Sequence, residues 1–278
     1  MSDARKRKEK IAFGVIKMLA MLTAVSLVAI IGYITVNALP SLSWEFVTGD
    51  PNDVLSGGVW PMAVNTVSLV LLTMAVALPL GVFAAVYLKE YTRESTLVTI
   101  IRAATENLAG MPSIIFGLFG LVFFGKALGL GWSLANGALT ASIVVLPTIM
   151  RTTEEALISV PQSYREGSLA LGATKWQTVK RVVLTSAFPG IMSGAMLAIG
   201  RIVGETAALM FTLGSADRMA TSLMDSARTL SMHLYILAHE GLSVEDAFAS
   251  AFILVIIILV LNIGAGAIAK RAVSRGGR

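Results

Sequence analysis

Six stretches of this sequence run for 19 or more residues without an Asp, Glu, Lys or Arg: Met18 to Trp44, Met62 to Leu88, Asn107 to Gly125, Ala127 to Met150, Val182 to Gly200 and Ala247 to Ala269. A helix needs about 20 apolar residues to cross a ~30 Å hydrocarbon layer, so every run is a candidate membrane span. Only 14% of the 278 residues are charged, against roughly a quarter in soluble domains, and the missing charge is missing from these runs. A soluble fold is excluded on that ground. The first run ends early, because Pro40 and the polar residues around it belong to a loop. The fifth continues past Arg201 to about Leu213, since the sequence stays apolar beyond the charges. The expected fold is therefore an all-α membrane protein with six transmembrane helices.

The basic residues orient it. Sixteen Lys and Arg fall in the N-terminal tail, residues 89–98, residues 151–186 and the tail from Lys270, whereas the alternate loops hold three, Lys126, Arg218 and Arg228. The positive-inside rule then places both termini in the cytoplasm. Topology thus explains the net charge of +5, and no nucleic-acid partner is needed. The first span follows Arg5-Lys6-Arg7-Lys8-Glu9-Lys10, as a signal peptide's would. Its apolar run is far longer than a cleavable core of roughly 7–15 residues, so it reads as a retained span. Residues 1–10 form a basic cytoplasmic tail and residues 11–278 one transmembrane domain. There are no cysteines, hence no disulfides or thiolate metal sites.

The outward loop from Ser215 to Leu242 has apolar residues at helical spacing (Met219, Leu223, Leu230, Leu234, Leu237) and Gly241 as a stop. Ser243-Val244-Glu245-Asp246 is a capping box that opens the last span.

Arg201 carries the most information of any single residue. It lies roughly 20 Å into the fifth span, counted from Phe188 at 1.5 Å per residue. A charge there costs ~2.5–3.5 kcal/mol even on insertion scales, and such residues usually face a bundle interior or a watery path. Glu205, one turn on, is placed to pair with it, and Gly200 and Gly204 would let another helix come close. A purely structural Arg–Glu staple is the competing reading. Arg102 and Glu106 repeat the spacing near the cytoplasmic edge, where snorkelling explains them. Arg151 ends the fourth span, where positive-inside placement accounts for it.

The longest hydrophilic stretch, residues 151–186, reads as two helical pieces around a glycine turn at Gly172. It contains Tyr164-Arg165-Glu166-Gly167-Ser168-Leu169-Ala170-Leu171-Gly172-Ala173, then Val182-Val183-Leu184. It resembles the cytoplasmic loop of ABC importer permeases: Glu-Ala-Ala, three residues, Gly, nine residues, then Ile-x-Leu-Pro. Glu166 and Gly172 have the right spacing, Gly167 and Ser168 stand in for the alanines, and Thr185 replaces the proline. Asn107 to Gly117, Arg151-Thr152-Thr153-Glu154-Glu155 with Val160-Pro161, and above all Gly200-Arg201-Ile202-Val203-Gly204-Glu205-Thr206-Ala207-Ala208 are similar to phosphate-specific permeases of the PstA type. The resemblance covers about residues 60–270.

That resemblance implies a type I ABC importer permease in the bacterial cytoplasmic (inner) membrane. It implies docking of residues 151–186 on an ATPase through Glu166, Gly167, Ser168, Gly172, Ala173 and Trp176, although Trp176 equally suits the lipid headgroups. It implies a phosphate pathway lined by Arg201, Glu205, Thr206 and Arg151. The expected partners are a second, PstC-type permease, two ATPase subunits, an extracytoplasmic phosphate-binding protein and membrane lipid. No cofactor is expected on this chain, and ATP and magnesium would be used by the ATPase. Another oxyanion, sulfate or molybdate, is the alternative cargo. An intramembrane hydrolase is the remote one, because it needs a nucleophile with a base in reach and both histidines lie in the outer loop. Gly120 to Lys126 has phosphate-loop glycine spacing, but Ala127 stands where Ser or Thr is required. His233 and His239 read as surface residues without a metal set.

Overall fold

Prolines and capping side chains set where the helices of this chain begin and end. The computed structural model describes residues 3–53, 56–93 and 95–276. Helix α1 (Asp3–Ala38) stops just before Pro40, and the basic tail is continuous with it from Asp3. A short α2 (Trp44–Thr48), capped by the Ser43 side chain on the Phe46 N–H, leads into two short antiparallel strands, β1 (Pro51–Asp53) and β2 (Ser56–Gly57). Helix α3 (Trp60–Val86) has Pro61 in its first turn, where a missing N–H costs nothing, and winds on as a π-helical turn to Tyr91.

The third apolar run departs from the expected straight span. It forms α4 (Thr96–Gly110) and α5 (Ser113–Gly120), α5 continuing as a π-helical segment to Ala127, and the pair is bent by 102° between its arms. Pro112 causes the bend. The residue before a proline is pushed out of the helical region, and Met111 has φ −74° and ψ 138°.

Helix α6 (Leu134–Ser159) follows, capped by Ser133, then α7 (Gln162–Ala170) and α8 (Lys175–Thr178). A π-helical turn joins α8 to α9 (Leu184–Val203), after which come α10 (Ala207–Thr212), α11 (Leu230–His239) and α12 (Val244–Gly276). Among the described residues five helices are long and apolar enough to cross a membrane, and six if the bent pair is one span.

Helix α6 is the centre, packed between α3 and α9. Leu69, Val70, Val145, Ile149, Ile202, Leu209, Leu213 and Met232 meet there in one buried cluster. Close approach of α9 to α6 depends on Gly194: a Cβ at that position would lie 2.0 Å from the Thr152 hydroxyl oxygen, far inside van der Waals contact. Helices α1 and α12 lean on each other at the periphery, and α1 turns Phe13, Leu22 and Val28 outward, as suits a helix bathed in lipid.

Half of the outer loop is not the helix its periodicity suggests. Its backbone is held by other groups. Asn65 on α3 donates to the carbonyls of Arg218 (3.0 Å) and Arg228 (3.3 Å) and accepts from the Ala220 N–H (2.9 Å). The Asp225 carboxylate gathers the N–H groups of Thr221 and Ser222. Only from Leu230 does the helix form, and it stops at His239 ahead of Gly241, whose φ is +66°. Ser243 accepts from the Asp246 N–H and opens α12 as expected.

Candidate functional site

The fifth span breaks beside Arg201. Helix α9 ends at Val203, Gly204 to Thr206 leave the helical path, and α10 restarts at Ala207. The span therefore does not run on smoothly to Leu213. This break decides the geometry around both charged residues. The Glu205 side chain no longer follows Arg201 by one turn: Glu205 Oε1 accepts the Ala208 N–H at 3.1 Å and so caps α10, while its carbonyl accepts the Ser231 hydroxyl at 2.8 Å. Glu205 is buried, Arg201 is half-buried, and no ion pair joins them. Among the described residues Arg201 has no ion-pair or hydrogen-bond partner. Its five donors are unspent.

Gly200 and Gly204 do not admit a neighbouring helix within this chain. A Cβ on Gly200 would meet nothing within 4 Å, and one on Gly204 only the Gly200 carbonyl at 3.6 Å. Gly204 is exposed, and the Thr206 hydroxyl reaches the Gly204 carbonyl at 3.5 Å. Irregular backbone at membrane depth is tolerated only against protein or water, never against lipid. The open side of the break therefore faces a partner subunit or an aqueous path.

A second polar cluster lies at the inner end of the bundle. Arg102 is not merely snorkelling: its Nη2 lies 2.6 Å from Glu154 Oε1, and both side chains are half-buried. Arg151 pairs with Glu155 at 3.2 Å, both well exposed, a pair that contributes little to stability. With Thr105 and Glu106 these residues line a cleft of about 220 Å³. Arg201 is not among that cleft's lining residues.

The 151–186 hairpin folds as its sequence suggests. Helices α7 and α8 flank Gly172, whose φ is +82°, a conformation that disfavours any Cβ. Thr174 and Gln177 form a reciprocal capping box at α8. The Ala173 N–H reaches the Ser168 carbonyl, and the Ser168 hydroxyl lies 2.9 Å from that of Thr178. Glu166, Gly167 and Trp176 are exposed. At the outer face His233 is buried, contrary to its expected surface position, with Nδ1 3.4 Å from an Arg228 nitrogen. Burial, with the Arg228 charge beside it, pushes its pKa down to about 4. His239 stays on the surface, stacked on Tyr235.

Residues 77–275 match the family described as the binding-protein-dependent transport system inner membrane component. The chain belongs to that family. The match takes in the hairpin, the inner cleft and the broken span, and it makes the protein an inner-membrane permease component rather than an enzyme. A probable ABC transporter permease, YqgI of Bacillus subtilis, is 36% identical, the alignment covering 94% of this chain and 95% of that one. The phosphate transport system permease PstA of Yersinia pestis is 32% identical, over 93% and 89%. The fold is similar to a subunit of a bacterial alginate ABC transporter crystallised with an alginate-bound periplasmic protein, with TM-score 0.69 at 14% identity, covering 96% of both chains. Together with the helical architecture, this makes the fold that of a type I importer permease.

Two features of this permease escape a reading of motifs. Leu171 is 90% exposed at the tip of the hairpin, and its only sequence signal is an apolar residue set directly before a turn glycine. Arg165 sits inside the loop motif and is almost buried in ionic contact with Glu90, 75 residues earlier. No local spacing announces that contact.

Proposed function

We propose that this permease moves inorganic phosphate into the cytoplasm as one of two membrane subunits of an ATP-driven importer. The observation that carries the reading is the unpartnered Arg201 guanidinium beside the open break in the fifth span. Phosphate bears one to two negative charges near neutral pH and suits the planar bidentate fork of arginine. Thr206 adds a hydroxyl on the same open segment, Glu205 fixes the restart of α10, and Arg151 stands at the inner exit. The name of the Yersinia relative supports phosphate as the cargo. The second membrane subunit is a PstC-type permease, and an extracytoplasmic phosphate-binding protein delivers the anion. Two ATPase subunits, which use ATP and magnesium, engage the hairpin through Glu166, Gly167, Ser168, Gly172, Ala173 and Trp176.

Isolation of the chain from membranes under mild detergent, with the partners identified by mass, tests the assembly. An ATPase and a second permease are expected in the isolate. Recovery of the chain without either would contradict the reading.

A further inference from the structure

Helix α7 is only lightly packed, against α8 and the π-helical turn that leads into α9. None of its side chains is fully buried, and only Arg165 and Ser168 are even partly covered. Ser168 contacts Thr178 within the hairpin itself. Thr178 lies on the helix that continues into the fifth span (Lys175–Val203), and Arg165 is the α7 side chain that reaches the second and fourth. Its Nη2 donates to Glu90 Oε1 at 2.7 Å and to the Leu157 carbonyl at 2.9 Å, its Nη1 to the Val160 carbonyl at 2.8 Å, and its Nε to Glu90 Oε1 at 3.2 Å. Glu90 belongs to the π-helical extension of α3, and Leu157 lies in the last turn of α6, with Val160 just beyond it. One guanidinium thus closes a carboxylate at the end of the second span and binds two carbonyls at the end of the fourth, of which that of Leu157 also accepts the Val160 N–H at 3.4 Å. The side chains of Arg165 and Glu90 are 13% and 9% exposed, so the joint is little screened. A cleft of about 640 Å³ runs along it, bounded by Gln162, Arg165, Glu90 and Lys175.

We infer that the Arg165–Glu90 joint is the positioning element that transmits ATPase motion from α7 to the second and fourth spans. The inference rests on the assignment of residues 151–186 as the ATPase-docking segment. The physical reason is directional. The planar fork binds a carboxylate and two carbonyls in one geometry, so displacement of α7 must either pull α3 and α6 with it or break several charge-assisted hydrogen bonds at once. A merely structural staple would hold α7 in place but leave the ratio of transport to hydrolysis unchanged.

The test uses the whole transporter in membrane vesicles and records phosphate uptake, ATP hydrolysis and a crosslink from Leu171→Cys at the hairpin tip to the ATPase. With the crosslink retained, Arg165→Met should lower uptake per ATP hydrolysed by about tenfold, within the range by which linking residues modulate coupling. Glu90→Gln, which keeps one amide oxygen for Arg165, should lower it by a smaller factor. An unchanged ratio in both variants overturns the proposal. Loss of both variants from the membrane does so too, because the joint would then be a folding element. No crosslink in the Leu171→Cys protein with the joint intact removes the docking assignment, and the proposal with it.

Discussion

Arg201 and Glu205 are four residues apart, and a continuous helix would make them partners; the break at Gly204 gives them separate tasks. Glu205 spends its carboxylate on the Ala208 N–H, whereas Arg201 keeps its donors. The two positions should therefore respond differently. Glu205→Gln retains an oxygen for the Ala208 N–H, so phosphate uptake should stay within about twofold of wild type. Arg201→Lys keeps the charge and loses the fork, and uptake should fall roughly tenfold. Equal losses in the two variants, measured at equal membrane abundance, would restore the ion-pair reading. His233 adds a pH dependence. Its folded pKa is about 4, below the ~6.5 of a free imidazole. The unfolded loop thus binds more protons between those values, and the stability contributed by the neutral ring is complete above about pH 6.5 and is lost as pH falls toward 4. Proteolysis of the outer loop should rise across that window, and His233→Gln should flatten the profile. A flat profile in the wild type would contradict the burial of the ring.

Among the elements, the hairpin and the spans differed in how openly the sequence declared them. Gly172 is a case where one residue dictates the turn: at φ +82° with nothing within 4 Å of a Cβ, Gly172→Val meets backbone strain rather than a clash. That variant should keep its spans inserted while ATPase co-purification and uptake drop severalfold. Normal binding and uptake would count against the hairpin as the coupling element. The hairpin turn, the Ser243 cap of α12 and most span positions were legible because each depends on residues close in sequence. The bend at Pro112 was locally encoded too, but charge-free length alone hides it, since a broken span is as apolar as a straight one. At the break the Glu205 carbonyl is bonded to Ser231, 26 residues away. The irregular half of the outer loop depends on Asn65, more than 150 residues away. The joint of Arg165 with Glu90 spans 75 residues. Single-sequence periodicity carries no record of such pairings, which explains why the site's residue list could be read and its bonding could not.

For the whole molecule, α6 packs at the centre of the bundle, and the charge asymmetry between alternate loops sets the expected orientation. Orientation can be checked with single cysteines. Ser163 on α7 and Ser222 in the outer loop are both exposed, whereas Ser231 is only 3% exposed and would label poorly on either side. In intact cells an impermeant thiol reagent should modify Ser222→Cys and spare Ser163→Cys, and the reverse pattern would invert the topology. In the proposed pathway Arg201 offers its unspent donors to a passing phosphate. This role is tested most directly by ATP-driven uptake of radiolabelled phosphate in vesicles carrying equal amounts of assembled wild-type or Arg201→Gln transporter, with excess sulfate as competitor. Wild-type uptake should resist sulfate, and Arg201→Gln uptake should fall to background. Wild-type uptake by the assembled Arg201→Gln transporter would contradict that role.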